Sequence, residues 1–267
     1  MKHLNFQFDF ISPYAYLAFK QLPEALKGIS YSVDYRPILF AGLLKHHGQL
    51  GPAEIVPKRE WTYRQVIWLA DKLGVSLRMP ASHPFNSLPL LRLALAASSN
   101  LFVDMHGGVC NRYVCEQIFD HAWATGLNMA DAEYFAALVG RLHGHNWQSD
   151  EVKNRLRANT DAAIKQHTFG VPTIEVDGKL FWGLDALPML RDYLLNEPWF
   201  DVGGWQTATS IPVGASRTTS SACLYLPQVT SHLETLGPGF PLTCQRGISL
   251  AQAPVIFTSD DGQPPAK

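Results

Sequence analysis

Cysteine is scarce in this chain, and what there is forms no motif. Four cysteines, Cys110, Cys115, Cys223 and Cys244, occur in 267 residues, and no two stand as C-x-x-C or at the Cys/His spacing of a zinc site. The ten histidines add no H-x-x-x-H pair, so a metal is not expected. Cys110 and Cys115 fall on one expected helix, five positions apart, where they point to different faces as separate buried thiols. Charge of one sign is lacking too: the net charge is -1, which gives no overall basic field for nucleic acid or an anionic membrane. The longest apolar stretch, 87–103, is broken by Arg92 and is too short and polar to span a bilayer. The first ten residues alternate like a strand and lack the basic region, apolar run and cleavage site of a secretory leader. Cytoplasm is the expected location.

What is present is a globular pattern, 46% apolar and 17% charged. Residues 3–9 alternate as a strand, Ile11-Ser12-Pro13 breaks it, and 14–26 carries helical spacing up to Gly28. Alternation returns over 31–38, so the opening reads strand, helix, strand with a right-handed crossover between parallel strands. Helices are expected over 57–73, 87–98, 102–123 (bent or broken at Gly107-Gly108), 130–142 and 150–169. Trp61, Tyr63 and Trp68 fit helical spacing as core residues. Asp177-Gly178 then separates two short apolar runs, the strongest local hairpin signal, and a last helix follows over 184–195. The plan is an α/β one: a thioredoxin-like sheet built from about 1–40 and 170–198, with a helical insertion over 41–169. The expected single unit is 1–217, and 218–267, rich in Ser, Thr, Pro and Gly without periodicity, is expected to be an irregular or disordered tail.

Chemistry concentrates at a few loops. Ser12-Pro13-Tyr14-Ala15 lies where a strand meets a helix, the place where a redox enzyme of this plan keeps C-x-x-C, because the helix N-terminus favours a thiolate. Serine and alanine replace the two cysteines. Ser12 either caps the helix or holds a thiolate supplied from outside. No His or Lys base is evident beside it, so Ser12 is a weak nucleophile. Val171-Pro172 opens the hairpin either as a turn or, with a cis bond, as an edge for an extended peptide. Asp185, after Trp182-Gly183-Leu184, either caps the last helix or grips a ligand ammonium while nearby backbone N–H groups take a carboxylate. Asn86 or Ser87 can cap a middle helix, and Lys45, Gln49 and Lys58 flank a Gly/Pro-rich loop that could meet a carboxylate.

In combination, Phe8-Asp9-Phe10-Ile11-Ser12-Pro13-Tyr14-Ala15-Tyr16, His83-Pro84-Phe85-Asn86, Phe169-Gly170-Val171-Pro172-Thr173 and Phe181-Trp182-Gly183-Leu184-Asp185 resemble the 2-hydroxychromene-2-carboxylate isomerase family. That family belongs to the DsbA-like branch of thioredoxin folds, beside the kappa-class glutathione transferases. The resemblance runs to about Gly214, through Pro198-Trp199-Phe200 and Ile211-Pro212-Val213-Gly214; nothing after Arg217 matches. It implies a glutathione-dependent cis–trans isomerase of aromatic hydrocarbon catabolism, a small aromatic substrate, and a homodimer. By the same resemblance Ser12 faces the glutathione sulfur, and Val171 binds the peptide backbone beside a cis Pro172. Trp182, Gly183, Leu184 and Asp185 then hold the γ-glutamyl end, and Lys45 and Asn86 contact the substrate or the glycine end. Where the family often has Gly-Asn, this chain has Gly48-Gln49, and Gln49 would have to supply that contact. The rival readings are a kappa-type transferase or peroxidase and a non-catalytic, DsbA-like peptide-binding module.

Overall fold

A computed structural model describes residues 1–101, 109–212 and 214. The expected tail, Cys223, Cys244, and the 102–108 part of the helix expected over 102–123 lie outside the described residues. Met1–Ala208 forms one compact unit.

Strand β1 (Lys2–Phe8) turns into helix α1 (Pro13–Ala25), and the chain returns as β2 (Tyr31–Pro37), parallel to β1 with Lys2 opposite Tyr31 and Phe8 opposite Pro37. Between β2 and the next strand come α2 (Phe40–His47), α3 (Val56–Leu73), α4 (Leu88–Leu101), α5 (Arg112–Trp123), α6 (Ala132–Leu142) and α7 (Asp150–Lys165). Strands β3 (Thr173–Val176) and β4 (Lys179–Trp182) complete the sheet in the order β2-β1-β3-β4. β3 is antiparallel to both neighbours, with Phe6 opposite Ile174 and Ile174 opposite Phe181. Asp177 and Gly178 take φ of 50° and 77°, the pair of positive values that a two-residue hairpin twisted like its strands requires. Helix α8 (Leu187–Leu194) follows, then α9 (Gly204–Thr207).

The alternation of β1 sorts its two faces. Leu4, Phe6 and Phe8 are fully buried, and Phe6 and Phe8 pack on Phe19 of α1 and Phe119 of α5 at ring separations of 6.3 and 5.3 Å. Each such side chain contributes about 1.5–3 kcal/mol by leaving water. On the opposite face Gln7 is buried but fully paired: its amide donates to Gln166 at 2.8 Å and accepts from the Thr168 hydroxyl at 2.7 Å. That pairing is what lets a polar side chain sit between the sheet and the α7 segment.

Several expectations need correction. Helix α2 is absent from the sequence reading; it is short, no side chain caps Leu39, and only the left-handed Gly48 (φ 62°) marks its end. Helix α5 begins after Asn111, whose side chain accepts from the Tyr113 N–H, so Cys110 is not helical; it bridges to Tyr35 instead. The two buried thiols are therefore neighbours rather than divergent: burial first, then Cys110, pushes the Cys115 thiol well up. Helix α7 stops at Lys165, and His167 takes a positive φ of 63°. Trp61 and Trp68 are not core residues; they are 63% and 56% exposed, because α3 buries the face carrying Val66 and Ala70.

Candidate functional site

Residues 9–12 carry the chain from the end of β1 to the tip of α1. Ser12 is the N-cap in extended conformation (φ -90°, ψ 115°), and Pro13 fits the first helical position, where a missing N–H costs nothing. The Ser12 Oγ accepts from the Ala15 N–H at 3.2 Å and donates to the Val171 carbonyl at 3.4 Å. Both bonds are long, and a long bond is easily exchanged for a better acceptor. Ser12 and Ala15 stand at the two ends of the span where a C-x-x-C would sit, so α1 presents its positive end with no sulfur of its own.

Asp9 lies beneath this turn, 1% exposed. Its carboxyl accepts the N–H of Ile11 at 3.1 Å and of Phe40 at 2.9 Å, and it also bonds the Ser87 hydroxyl. Burial nevertheless dominates and pushes its pKa up to about 6. One acid thereby ties the β1–α1 turn to the start of α2 and the residue before α4. A histidine also stands nearby, contrary to the sequence reading: His83 places Nε2 2.8 Å from the Ile11 carbonyl. That nitrogen is committed to the backbone, so His83 offers Ser12 no lone pair.

The other half of the site comes from the segment before the hairpin. The Val171-Pro172 bond is cis, as is His83-Pro84. Val171 packs with Ile38, Leu43 and Ala163, which fixes it against α2 and α7. The Pro172 carbonyl accepts the Gly183 N–H at 2.9 Å, so the two ends of the hairpin are closed beside Ser12. Trp182 is half exposed and rests edge-on against Phe169 at 4.9 Å. Leu184–Ala186 is a single 3-10 turn, and α8 starts only after it, capped by no side chain. Asp185 is therefore not the cap of that helix; it is exposed in the 3-10 turn. The Tyr14 hydroxyl on α1 donates to the Gln65 side-chain oxygen at 2.6 Å, and burial first, with the Asp185 charge adding to it, pushes this phenol up.

Ser12, Val171, Pro172 and Gly183 are thus joined by hydrogen bonds into one neighbourhood, flanked in sequence by Trp182 and by Leu184-Asp185. Lys45 is exposed on the last turn of α2, Gln49 and Asn86 are exposed on loops, and among the described residues no hydrogen bond joins them to that group. Asn86 instead accepts the Leu88 N–H at 3.1 Å at the start of α4. Lys58 is exposed on α3. The C-terminal end of α2, which carries Lys45 and precedes Gln49, is tied to the segment before the hairpin through His47, whose ring lies 3.1 Å from the Thr168 carbonyl. Asp9, Tyr63, His83 and His47 went unread as parts of the site. For Asp9 a signal existed, a carboxylate set between Phe8 and Phe10; for the others only the folded contacts show it. No group of three His, Cys, Asp or Glu among the described residues is placed to hold a metal. No helix among them is long and apolar enough to cross a membrane.

Residues 3–195 match the DSBA-like thioredoxin domain. The chain belongs to this family. Within the DSBA-like family its curated relatives include glutathione S-transferase kappa 2 of Caenorhabditis elegans, 27% identical over 210 residues, covering 72% of this chain and 92% of that one. They also include a 2-hydroxychromene-2-carboxylate isomerase of Pseudomonas sp. (strain C18), 27% identical over 204 residues, covering 73% and 91%. Among solved structures, a 2-hydroxychromene-2-carboxylate isomerase aligns with a TM-score of 0.62 at 22% identity, over 75% of this chain and 98% of that one. A probable DsbA oxidoreductase from Streptomyces coelicolor shares the fold at a TM-score of 0.52 and 12% identity, over 82% and 96%.

Proposed function

We propose that this DSBA-like chain is a glutathione-dependent cis–trans isomerase acting on 2-hydroxychromene-2-carboxylate, a small aromatic substrate, to give trans-o-hydroxybenzylidenepyruvate. The observation that carries the reading is the Ser12 hydroxyl at the positive end of α1, 3.4 Å from the Val171 carbonyl, in the place of a redox cysteine. The available groups fit the tripeptide: a hydroxyl and a helix tip for a sulfur anion, the Val171 backbone for a peptide, and the exposed Asp185 carboxylate for an ammonium. Glutathione, when bound, would supply a thiolate that adds reversibly to the conjugated double bond, so that a single bond can rotate, and is regenerated.

The chain's own residues do the rest. Ser12 turns its proton from the Val171 carbonyl, a long bond, towards the sulfur, and the α1 dipole favours the charge there. Trp182, Gly183, Leu184 and Asp185 orient the γ-glutamyl end, while Lys45, Gln49 and Asn86 reach the glycine end or the substrate. The protein acts in the cytoplasm as a homodimer on this reading. The equal similarity to a kappa transferase supports a second reading, in which the same thiolate attacks an electrophile irreversibly. Product analysis separates them: the isomerase leaves the glutathione concentration unchanged, and the transferase accumulates a conjugate. Titration calorimetry with glutathione tests both, since a general peptide-binding module would show no preference for the tripeptide.

A further inference from the structure

Ser12 is held weakly by its own side chain, so its orientation must come from its backbone. The peptide plane joining Ile11 to Ser12 is fixed at both ends: the Ser12 N–H donates to the Asp9 carbonyl at 3.1 Å, and the Ile11 carbonyl receives His83 Nε2 at 2.8 Å. The preceding carbonyl, that of Phe10, is held in the same way by the Trp123 indole N–H at 2.8 Å, and the Trp123 and His83 rings pack against each other at 5.4 Å. A carbonyl can only accept, so Nε2 carries the imidazole proton. Burial lowers the His83 pKa and keeps the ring neutral, which leaves Nδ1 as an acceptor. The Tyr63 hydroxyl lies 2.8 Å from Nδ1 and 2.8 Å from the carbonyl of His83 itself. The Ile11 carbonyl therefore sets the tautomer, and Tyr63, whose one hydroxyl proton lies between Nδ1 and the His83 carbonyl, fixes the place of the ring.

We infer that His83, oriented by Tyr63, is the positioning residue of the Ser12 site: by holding the Ile11 carbonyl it aims the Ser12 hydroxyl and the α1 tip at a bound thiolate. The inference rests on glutathione being the ligand. His83 touches neither the sulfur nor the substrate and acts only through the backbone. Loss of its donor frees the Ile11–Ser12 plane to rotate, and a misplacement on the order of 1 Å is enough to degrade a pre-arranged anion site.

The test compares wild type, His83→Leu, His83→Gln and Tyr63→Phe, each confirmed folded by circular dichroism. Glutathione affinity is read by calorimetry, and the thiol of bound glutathione is titrated through thiolate ultraviolet absorbance. The expected result is a bound-thiol pKa lowered in wild type and raised by His83→Leu by about one unit, a tenfold loss of thiolate at fixed pH. Affinity should change less than about threefold, because the peptide contacts remain. His83→Gln, whose amide can reach the same carbonyl, should restore most of the shift, and Tyr63→Phe should give a smaller shift in the same direction. An unchanged thiol titration in His83→Leu overturns the inference while the proposed function stands. Should His83→Leu fail to fold, an unchanged titration in Tyr63→Phe overturns it equally. If wild type binds no glutathione, the proposed function itself fails, and this inference with it.

Discussion

The Ser12 hydroxyl donates to the Val171 carbonyl across 159 positions of sequence, so the tip of the first helix and the entrance to the hairpin share one hydrogen bond. Everything proposed about ligand binding depends on that juxtaposition. Either residue alone is an ordinary cap or an ordinary turn. Together they offer a sulfur anion and an extended peptide adjacent places.

Ser12→Ala removes both the cap and the donor. The stability loss should be about 1 kcal/mol, that of a missing N-cap, measured by urea unfolding. Isomerase turnover with saturating glutathione should fall roughly a hundredfold, as when one oriented donor to a developing anion is deleted. Undiminished turnover would remove Ser12 from the mechanism.

The stability of the fold should depend on pH through two buried groups that oppose each other. Burial raises Asp9 to about 6, so the folded chain keeps that proton longer than the unfolded one. Asp9 therefore contributes stability at acid pH that is lost as pH rises through about 6. His121, stacked on Tyr134 at 3.7 Å, is lowered to about 4 by burial and then by Arg141, so its contribution is lost as pH falls from 6.5 towards 4. Each effect is about 3 kcal/mol in full. Asp9→Asn should make unfolding free energy drop more steeply in acid than wild type, and His121→Gln should flatten or reverse that drop. Parallel pH curves for Asp9→Asn and wild type would contradict the raised Asp9 pKa.

Gly183 takes φ 99° and ψ 166°, and a Cβ there would stand 2.4 Å from the Asp185 Oδ1. Only glycine occupies that region without strain, so Gly183→Ala should lower stability by about 1–3 kcal/mol. It should also displace the Asp185 carboxylate and weaken glutathione binding. A thermal midpoint equal to that of wild type would show that the turn can relax.

Trp61→Ser and Trp68→Ser should each change unfolding free energy by less than about 0.5 kcal/mol, since both rings are exposed. Trp123→Phe, at a fully buried ring whose N–H holds the Phe10 carbonyl, should cost about 2–4 kcal/mol in the same denaturant series. A large loss at either exposed tryptophan would mean that its face of α3 is covered in solution.

Much of the frame was legible before folding because it is local. Alternation gave β1 and β2, Asp177-Gly178 gave the β3–β4 hairpin, and Ser12-Pro13 marked the start of α1. What was misread lacked a local signal. Helix α2 has no capping side chain, α5 hides its start behind Asn111, and the helical spacing of Trp61 and Trp68 is the same whether the stripe faces the core or solvent. Periodicity identifies a helix but not which side the rest of the chain covers.

The sequence by itself determined the order of the four strands and of the longer helices, the thioredoxin-like plan and the absence of a C-x-x-C at the first helix, since these follow from side-chain period, turn chemistry and residue identity. Tertiary structure alone decided that Asp9 and His83 grip the Ile11 backbone, that Cys110 lies beside Cys115, and that Asp185 sits in a 3-10 turn rather than capping α8. His83 reaches Ile11 across 72 positions and Asp9 reaches Phe40 across 31, and even the close pair Cys110 and Cys115 meets only because the backbone between them leaves the helix; burial of the shared core, not local sequence, sets these contacts.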